Sequence, residues 1–324
     1  MTDVPWSKLE GDLEEFKVPG VSWALIDNGE ITDRGSAGVV ESGRTDPVTP
    51  ATLFQACSIS KPVAVFAMLR LVDEGLLTLD ADVNESLTSW QIPPTSGSQP
   101  AVTLRQLASH SAGLTVHGFP GYQQGADLPT TVQILDGLPP ANTSAVRVDL
   151  VPGTQFRYSG GGTLVLQQLL EDVTGTPFRR LMRELVLDPL GMSDSDFAQP
   201  LPEELHGRAA TAHDELGQPV EGRWHSYPEL AAAGLWTNPT DLVTFALGVR
   251  RAYDGLEGAL ISQELAREQL TPQIPTSEPI DGMDALGLGV FLADGGRRFG
   301  HGGGNKGFKC DRSRTGTLGK GQRS

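Results

Sequence analysis

Two patterns typical of β-strands stand at opposite ends of this chain, and the sequence between them is typical of helices and loops. Near the start, residues 21–26 are typical of a strand, and Asn28-Gly29 is a hairpin signal that leads into a second strand over residues 30–40. Near the end, residues 286–292 and 298–301 are typical of strands joined by a turn at residues 294–296. We therefore predict an α+β fold whose antiparallel sheet is formed from both chain ends.

Helical spacing dominates the middle of the chain. Over residues 61–74 the apolar side chains of Val65, Met68, Leu69 and Val72 share one face, and Gly75 is a typical helix stop. Further helices are predicted over residues 6–16, 104–110, 161–173, 178–186 and 241–252. We expect one domain over residues 1–309, in which helices flank a sheet lobe (residues 1–75 and 230–309) and a mostly helical lobe (residues 76–229) is inserted.

Charge is distributed unevenly along the chain. The formal net charge is -15, and an acidic surface of this kind repels phosphate backbones, so nucleic acid is not expected as a partner. Residues 306–324 nevertheless hold six basic residues and one acid. The segment 310–324 has one large apolar side chain, Leu318, and cannot build a strand and helix, so we expect a disordered basic tail and a truncated or frame-shifted end.

Two further absences in the sequence limit the class of protein. The chain has only two cysteines, Cys57 and Cys310, which supports neither a disulfide framework nor a cysteine-based zinc site. No apolar run approaches the roughly 20 residues that span a bilayer, and the first residues lack the pattern of a signal peptide. We expect no membrane association and a cytoplasmic location.

The segment Ser58-Ile59-Ser60-Lys61 at the start of a predicted helix is the strongest candidate for chemistry. Residues three apart on a helix lie on one face, about 5 to 6 Å apart at Cβ, so the Lys61 amine can reach the Ser58 hydroxyl. A serine becomes a nucleophile when a base takes its proton, and a lysine can act as that base only if burial or nearby positive charge lowers its pKa. Taken alone, the motif is also compatible with a capped helix and a solvated lysine.

Other candidate residues favour structural interpretations. His110 and His117 lack a carboxylate at ligand spacing, so a structural role for His110 and solvation of His117 are favoured over a metal site. The glycine runs 160–162 and 302–304 lack the layout of a phosphate loop, and Cys57 is expected to be a small buried residue. Three aromatic side chains, Trp224, His225 and Tyr227, are compatible with either a cleft mouth or core packing, and Trp236 is expected in the core.

Four stretches together resemble a known family. They are residues 53–61 with 71–80, residues 104–114, residues 152–160 and residues 300–305. In order and spacing, from residue 15 to 309, they resemble the serine β-lactamase and penicillin-binding-protein superfamily, most closely the class C-like branch that includes esterases and D-amino-acid peptidases. The resemblance implies a β-lactamase/transpeptidase-like fold.

The resemblance also implies roles for individual residues. Ser58 would be the acylated nucleophile, Lys61 its proton partner, and Tyr158 a second general acid/base tuned by Lys61. The backbone N–H groups of Ser58 and Gly304 would form an oxyanion hole, and His301 would stand in place of the family's strand lysine. A small-molecule substrate and no metal or organic cofactor are implied, while the oligomeric state is left open.

Two departures from the family pattern bear on the substrate. The asparagine that follows the tyrosine in the family is Gly160 here, and His301 is expected to be only partly cationic near pH 7. Both weaken the case for a penicillin-type substrate and favour esters or small amides; of a small ester, amide or lactam, we expect an ester. The alternatives are a non-catalytic binding protein with a penicillin-recognition fold and an inactive truncated homologue.

Overall fold

The computed structural model describes residues 8–95 and 97–310. Its helices lie mostly in the middle of the chain, as predicted: α1 Leu9–Glu15, α2 Ser60–Asp73, α3 Leu104–Ala108, α4 Thr131–Asp136, α5 Gly160–Thr174, α6 Phe178–Met182, α7 Asp188–Leu190, α8 Leu230–Ala233, α9 Pro239–Tyr253 and α10 Gln263–Gln269. The predicted helix over residues 178–186 continues beyond α6 as a π-helical turn, Arg183–Leu187. Helices α4, α7, α8 and α10 were not predicted.

Strands are concentrated near both chain ends: β1 Gly20–Asp27, β2 Glu30–Gly38, β3 Phe54–Gln55, β4 Trp236–Thr237, β5 Ile274–Ile280, β6 Met283–Leu286, β7 Phe291–Ala293, β8 Arg298–Gly300, β9 Gly303–Asn305 and β10 Phe308–Cys310. All the strand pairs are antiparallel. Strands β5 to β8 form a four-stranded sheet in chain order, whereas β1–β2, β3–β4 and β9–β10 form two-stranded sheets. The predicted α+β class is confirmed.

Helices α2 and α5 run through the core. Every residue of α2 from Ser60 to Leu69 is buried, as is every residue of α5 from Gly160 to Leu170. A helix that is apolar on all sides is stable only inside a protein, so these two helices lie at the centre of the core. Helix α5 begins where the Ser159 hydroxyl accepts a hydrogen bond from Gly162 N at 2.9 Å, and it ends at Gly175 in the left-handed conformation.

The structure corrects two details of the predicted sheet. The single strand predicted over residues 286–292 is broken into β6 and β7 by a turn, because Gly289 has a φ of +77° and leaves no room for a Cβ, which would lie 2.7 Å from Val65. Within the described residues, the β1–β2 hairpin is not hydrogen-bonded to the C-terminal strands. It packs against α9 instead, so its apolar face is covered by a helix.

The boundary of the predicted tail also shifts. Cys310 is the last residue of β10 and pairs with Gly303, so it belongs to the folded domain. The rest of the predicted tail, residues 311–324, lies outside the described residues. Within residues 8–95 and 97–310, no helix has both the length and the apolar character that crossing a membrane requires.

Candidate active site

Ser58 lies in a tight turn at the entrance to α2. The turn is a short 3₁₀ helix, Cys57–Ile59, and Cys57 has a φ of +54°, an uncommon conformation for a residue other than glycine. The Ser60 hydroxyl fixes this turn, because it donates to Cys57 O at 2.6 Å and accepts from Leu235 N at 3.1 Å. Ser58 is half-buried, whereas Cys57 and Ser60 of the same turn are buried, so Ser58 keeps partial access to solvent.

The Lys61 amine lies directly beside the Ser58 hydroxyl, as the helical spacing predicted. Its Nζ is 3.0 Å from Ser58 Oγ and donates to Ala232 O at 2.8 Å. Lys61 is only 4% exposed, and burial lowers its pKa to about 7. Near neutral pH a large share of Lys61 is therefore the free amine, which can accept a proton from Ser58.

Tyr158 completes this group of side chains. Its hydroxyl interacts with the Ser58 side chain, and its ring lies 5.1 Å from Lys61 Nζ. Burial raises the pKa of the Tyr158 phenol well above its usual value, so at neutral pH the hydroxyl keeps its proton and can donate it. Burial is therefore the main influence on the pKa of Tyr158, whereas the resemblance implied that Lys61 would set it.

Histidine rings surround Tyr158. His110, His117 and His301 have ring centroids 4.3, 4.9 and 6.0 Å from that of Tyr158. His110 has a structural role, since it is buried and its Nδ1 accepts from Ser159 N at 3.2 Å, next to Tyr158. His117 is exposed.

His301 follows the end of β8, beside the Tyr158 ring. Its Nδ1 donates to Gly302 O at 2.6 Å, while its buried Nε2 has no hydrogen-bond partner among the described residues. Burial, with the Lys61 charge as a second cause, lowers the pKa of His301 to about 3. The expectation that His301 is partly cationic near pH 7 is therefore wrong: the ring is neutral, because the site that holds it is dry and already contains an amine.

Strand β9 lies against the nucleophile turn. A Cβ added to Gly303 would lie 2.6 Å from Ser58 N and 2.7 Å from Cys57 Cβ, so only glycine allows this approach. The next residue, Gly304, is opposite Lys309, while Asn305 and Phe308 flank a two-residue turn. Hydrogen-bonded and open positions alternate along an antiparallel pair, so the Gly304 N–H is expected to point away from β10. That direction is compatible with an oxyanion contact.

Comparison with known proteins identifies the family. The model of the family described as Beta-lactamase matches residues 7–312. The chain belongs to the beta-lactamase family.

A similar solved structure confirms the β-lactamase/transpeptidase-like fold, and the curated relatives carry different names. The chain is 31% identical over 220 residues to Esterase EstB of Burkholderia gladioli, covering 65% of this chain and 54% of that protein. It is 29% identical over 238 residues to Penicillin-binding protein 4 of Amycolatopsis lactamdurans, covering 72% and 59%. Among solved structures, the octameric penicillin-binding protein homologue from Pyrococcus abyssi matches with a TM-score of 0.75 and 26% identity, covering 92% of this chain and 67% of that one. The chain spans only a little over half the length of these two curated relatives.

Hydrogen bonds between side-chain amides, which were not predicted from the sequence, hold β9 in place. Asn305 Nδ2 donates to Gln55 Oε1 at 2.8 Å and to Ala233 O at 3.1 Å, and Gln55 Nε2 donates to His225 O at 2.8 Å. These bonds tie β9 to the strand before Ser58 and to α8, which carries the carbonyl group bound by Lys61. Asn305 closes the last of the four recognised stretches, but its partners are distant in sequence.

The aromatic candidates near residue 225 fall mostly in the core. Trp224, Tyr227 and Trp236 are fully buried, so the core interpretation holds for them and only His225 remains partly exposed. Cys57 is buried, as predicted. Within residues 8–95 and 97–310, no group of three or more histidine, cysteine or acidic side chains is placed to hold a metal ion.

Proposed function

We propose that this member of the beta-lactamase family is a serine hydrolase that acts through an acyl-enzyme intermediate on a small ester, amide or lactam, with an ester favoured. One observation carries the proposal: the Lys61 amine, buried and with its pKa lowered to about 7, lies 3.0 Å from Ser58 Oγ. A buried neutral amine at hydrogen-bond distance from a hydroxyl is the arrangement that general-base activation requires.

In the proposed first step, Ser58 Oγ attacks the substrate carbonyl carbon while its proton passes to Lys61 Nζ. The negative charge that develops on the carbonyl oxygen is held by the N–H groups of Ser58 and Gly304. Loss of one such donor typically reduces the rate by about 10²- to 10³-fold. Tyr158 donates its hydroxyl proton to the leaving oxygen as the bond to the acyl carbon breaks, and Lys61 returns a proton to Tyr158. Water then attacks the acyl-Ser58 ester, and a second proton transfer through the same groups releases the acid.

An ester is favoured because the site lacks two groups that would bind an amide or a carboxylate. Gly160 supplies no side-chain donor, and His301 is neutral, so it cannot attract a substrate carboxylate as a lysine would. The name of Esterase EstB of Burkholderia gladioli also supports an ester as the substrate.

The test is hydrolysis of p-nitrophenyl butyrate by the full chain and by Ser58→Ala. We expect turnover by the unmodified chain and its complete loss in the variant. Ser277→Ala, which changes an exposed serine of β5, is the matched control and should keep full activity. Equal turnover by Ser58→Ala would overturn the assignment of the nucleophile.

A fluorophosphonate probe separates an enzyme from a binding protein. Covalent mass on the peptide that contains Ser58 supports acylation, and its absence favours a scaffold or an inactive homologue. With labelled penicillin, fast loss of the label indicates a hydrolase and slow loss indicates an acylatable sensor.

A further inference from the structure

The backbone at Gly160 leaves no space for any side chain, because an aromatic ring fills that space. A Cβ added at Gly160 would lie 2.9 Å from Cε2 of Phe119 and 3.1 Å from His117 O. Real Cβ atoms essentially never approach another atom closer than 3.0 Å. The position where the family carries an amide side chain is therefore occupied by the ring of Phe119.

Phe119 is held in place by the loop that carries it. Gly160 N donates to His117 O at 2.9 Å, and Gly161 N donates to Val116 O at 3.0 Å. Val116 has a φ of +62°, a strained conformation for a β-branched residue that persists only where the surroundings impose it. The loop is thus fastened to the start of α5, two residues after Tyr158.

The chain neighbours of Phe119 and Gly160 belong to an aromatic group centred on Tyr158. On the same loop as Phe119, His117 has its ring centroid 4.9 Å from that of Tyr158, and Phe291 is stacked on Tyr158 at 6.4 Å. Phe119 is half-buried, so part of it is accessible to solvent. Phe119 therefore presents an aromatic ring where the family carries an amide donor.

We propose that Phe119 is the residue that determines specificity for the acyl group, and that the substrate is an ester whose acyl chain is short and apolar, without an amide substituent. This inference rests on the proposed function and names its substrate class. The Phe119 ring limits the length of the acyl chain because it fills the space in which a side chain at position 160 would lie. It excludes an acylamino group because such a group would lose its hydrogen bonds to water and gain no partner there.

The first test measures kcat/KM for p-nitrophenyl acetate, butyrate, hexanoate and octanoate, which share one leaving group. Removing the ring in Phe119→Ala opens the space, so we expect the octanoate-to-acetate ratio of kcat/KM to rise by about 10-fold or more. Phe119→Leu should give a smaller shift in the same direction and serves as the milder variant if Phe119→Ala unfolds. Phe16→Ala makes the same chemical change at a side chain that is 68% exposed elsewhere, and it should leave the ratio unchanged.

Two results would overturn the inference while leaving the proposed function intact. One is an unchanged chain-length profile in a folded, active Phe119→Ala. The other is a shift in preference for the alcohol, measured with a series of acetate esters, in place of a shift for the acyl chain. If the unmodified chain shows no turnover that depends on Ser58, the proposed function itself fails.

The second test examines the contact between the ring and position 160. Gly160→Ala should lower kcat/KM for butyrate by about 10-fold or more, because the new methyl group displaces Phe119. The double variant Gly160→Ala/Phe119→Ala should recover activity to the level of Phe119→Ala alone, since the clash is gone. Additive losses in the double variant would show that the two positions are not coupled and would contradict the inference.

Discussion

At the scale of single residues, desolvation sets the protonation of the site. Burial lowers the pKa of Lys61 to about 7 and that of His301 to about 3, and it raises the pKa of the Tyr158 phenol. All three effects favour the uncharged form, because a dry site penalises any charge that lacks a partner. Of these three groups, Lys61 is the one whose pKa lies close to neutrality, so it can act as a base in the physiological range.

The pH dependence of the reaction follows from these pKa values. For p-nitrophenyl butyrate, corrected for spontaneous hydrolysis, kcat/KM should rise with pH through an apparent pKa near 7 and then level off, because only the neutral amine of Lys61 accepts the Ser58 proton. Lys61→Arg, which keeps a permanent charge, should lose the activity. A profile that is flat or falling between pH 6 and 9 would contradict the role of Lys61 as the base.

Tyr158→Phe tests the proton donor while it keeps the aromatic ring. The variant removes the hydroxyl that interacts with Ser58, and we expect kcat/KM to fall by about 10² to 10⁴. The melting temperature should change little, since the ring contacts with His110 and Phe291 remain. A loss of activity accompanied by unfolding would indicate a structural role instead.

At the scale of elements, the site exists because three short segments meet. The 3₁₀ turn with Ser58 lies against β9, and α8 supplies the carbonyl group that Lys61 binds. The amide of Asn305 connects β9 to α8 and to Gln55 of β3. A small displacement of β9 would therefore change the nucleophile turn and the oxyanion donors together.

Two neighbouring glycines of β9 give a matched pair for testing this contact. Gly303→Ala places a methyl group against the backbone of Ser58 and should reduce kcat/KM by about 100-fold or more. Gly304→Ala meets only the end of the flexible Lys309 side chain, at 3.1 Å, so it should be much milder and keep its N–H. Equal losses in kcat/KM for the two variants would contradict the close approach of β9 at Gly303.

At the scale of the whole molecule, the interior contains a buried carboxyl group, that of Glu229, whose charged form is destabilised there. Glu229, the residue before α8, is fully buried, and neither carboxyl oxygen has a hydrogen-bond partner on another described residue. Burial raises the pKa of Glu229 to about 8. The folded state therefore holds a proton that the unfolded chain releases at a much lower pH.

This difference makes the stability depend on pH. Between pH 4.5 and 8 the folded chain binds more protons than the unfolded chain through Glu229, so the free energy of unfolding falls as pH rises, by up to about 1.4 kcal/mol per pH unit from this group. Glu229→Gln removes this contribution, so its stability should match that of the unmodified chain near pH 4.5 and exceed it near pH 8. Denaturant unfolding at several pH values measures the effect.

The matched control is Glu221→Gln, which changes an exposed acid in a turn and should follow the unmodified chain at every pH. If Glu229→Gln is no more stable than the unmodified chain near pH 8, the carboxyl group is not neutral in the folded state.

The sequence by itself determined the features that depend on local spacing. The one-turn separation of Ser58 and Lys61 placed the amine beside the hydroxyl, because residues three apart share a helix face. The bounds of α2, α5 and α9 followed from apolar periodicity and end signals within two residues. The four recognised stretches were enough to predict the family and the fold.

The tertiary structure decided whatever depends on contacts between distant segments. Sequence could not show that His301 is neutral, because its pKa is set by burial and by Lys61, 240 positions earlier in the chain. Nor could it show that the Phe119 ring fills the space at Gly160, since that contact needs the loop between α3 and α4 to fold onto the start of α5. A local sequence pattern specifies which side chains are neighbours on a helix. The dielectric environment of a side chain and the space around it are set only when distant segments have packed together.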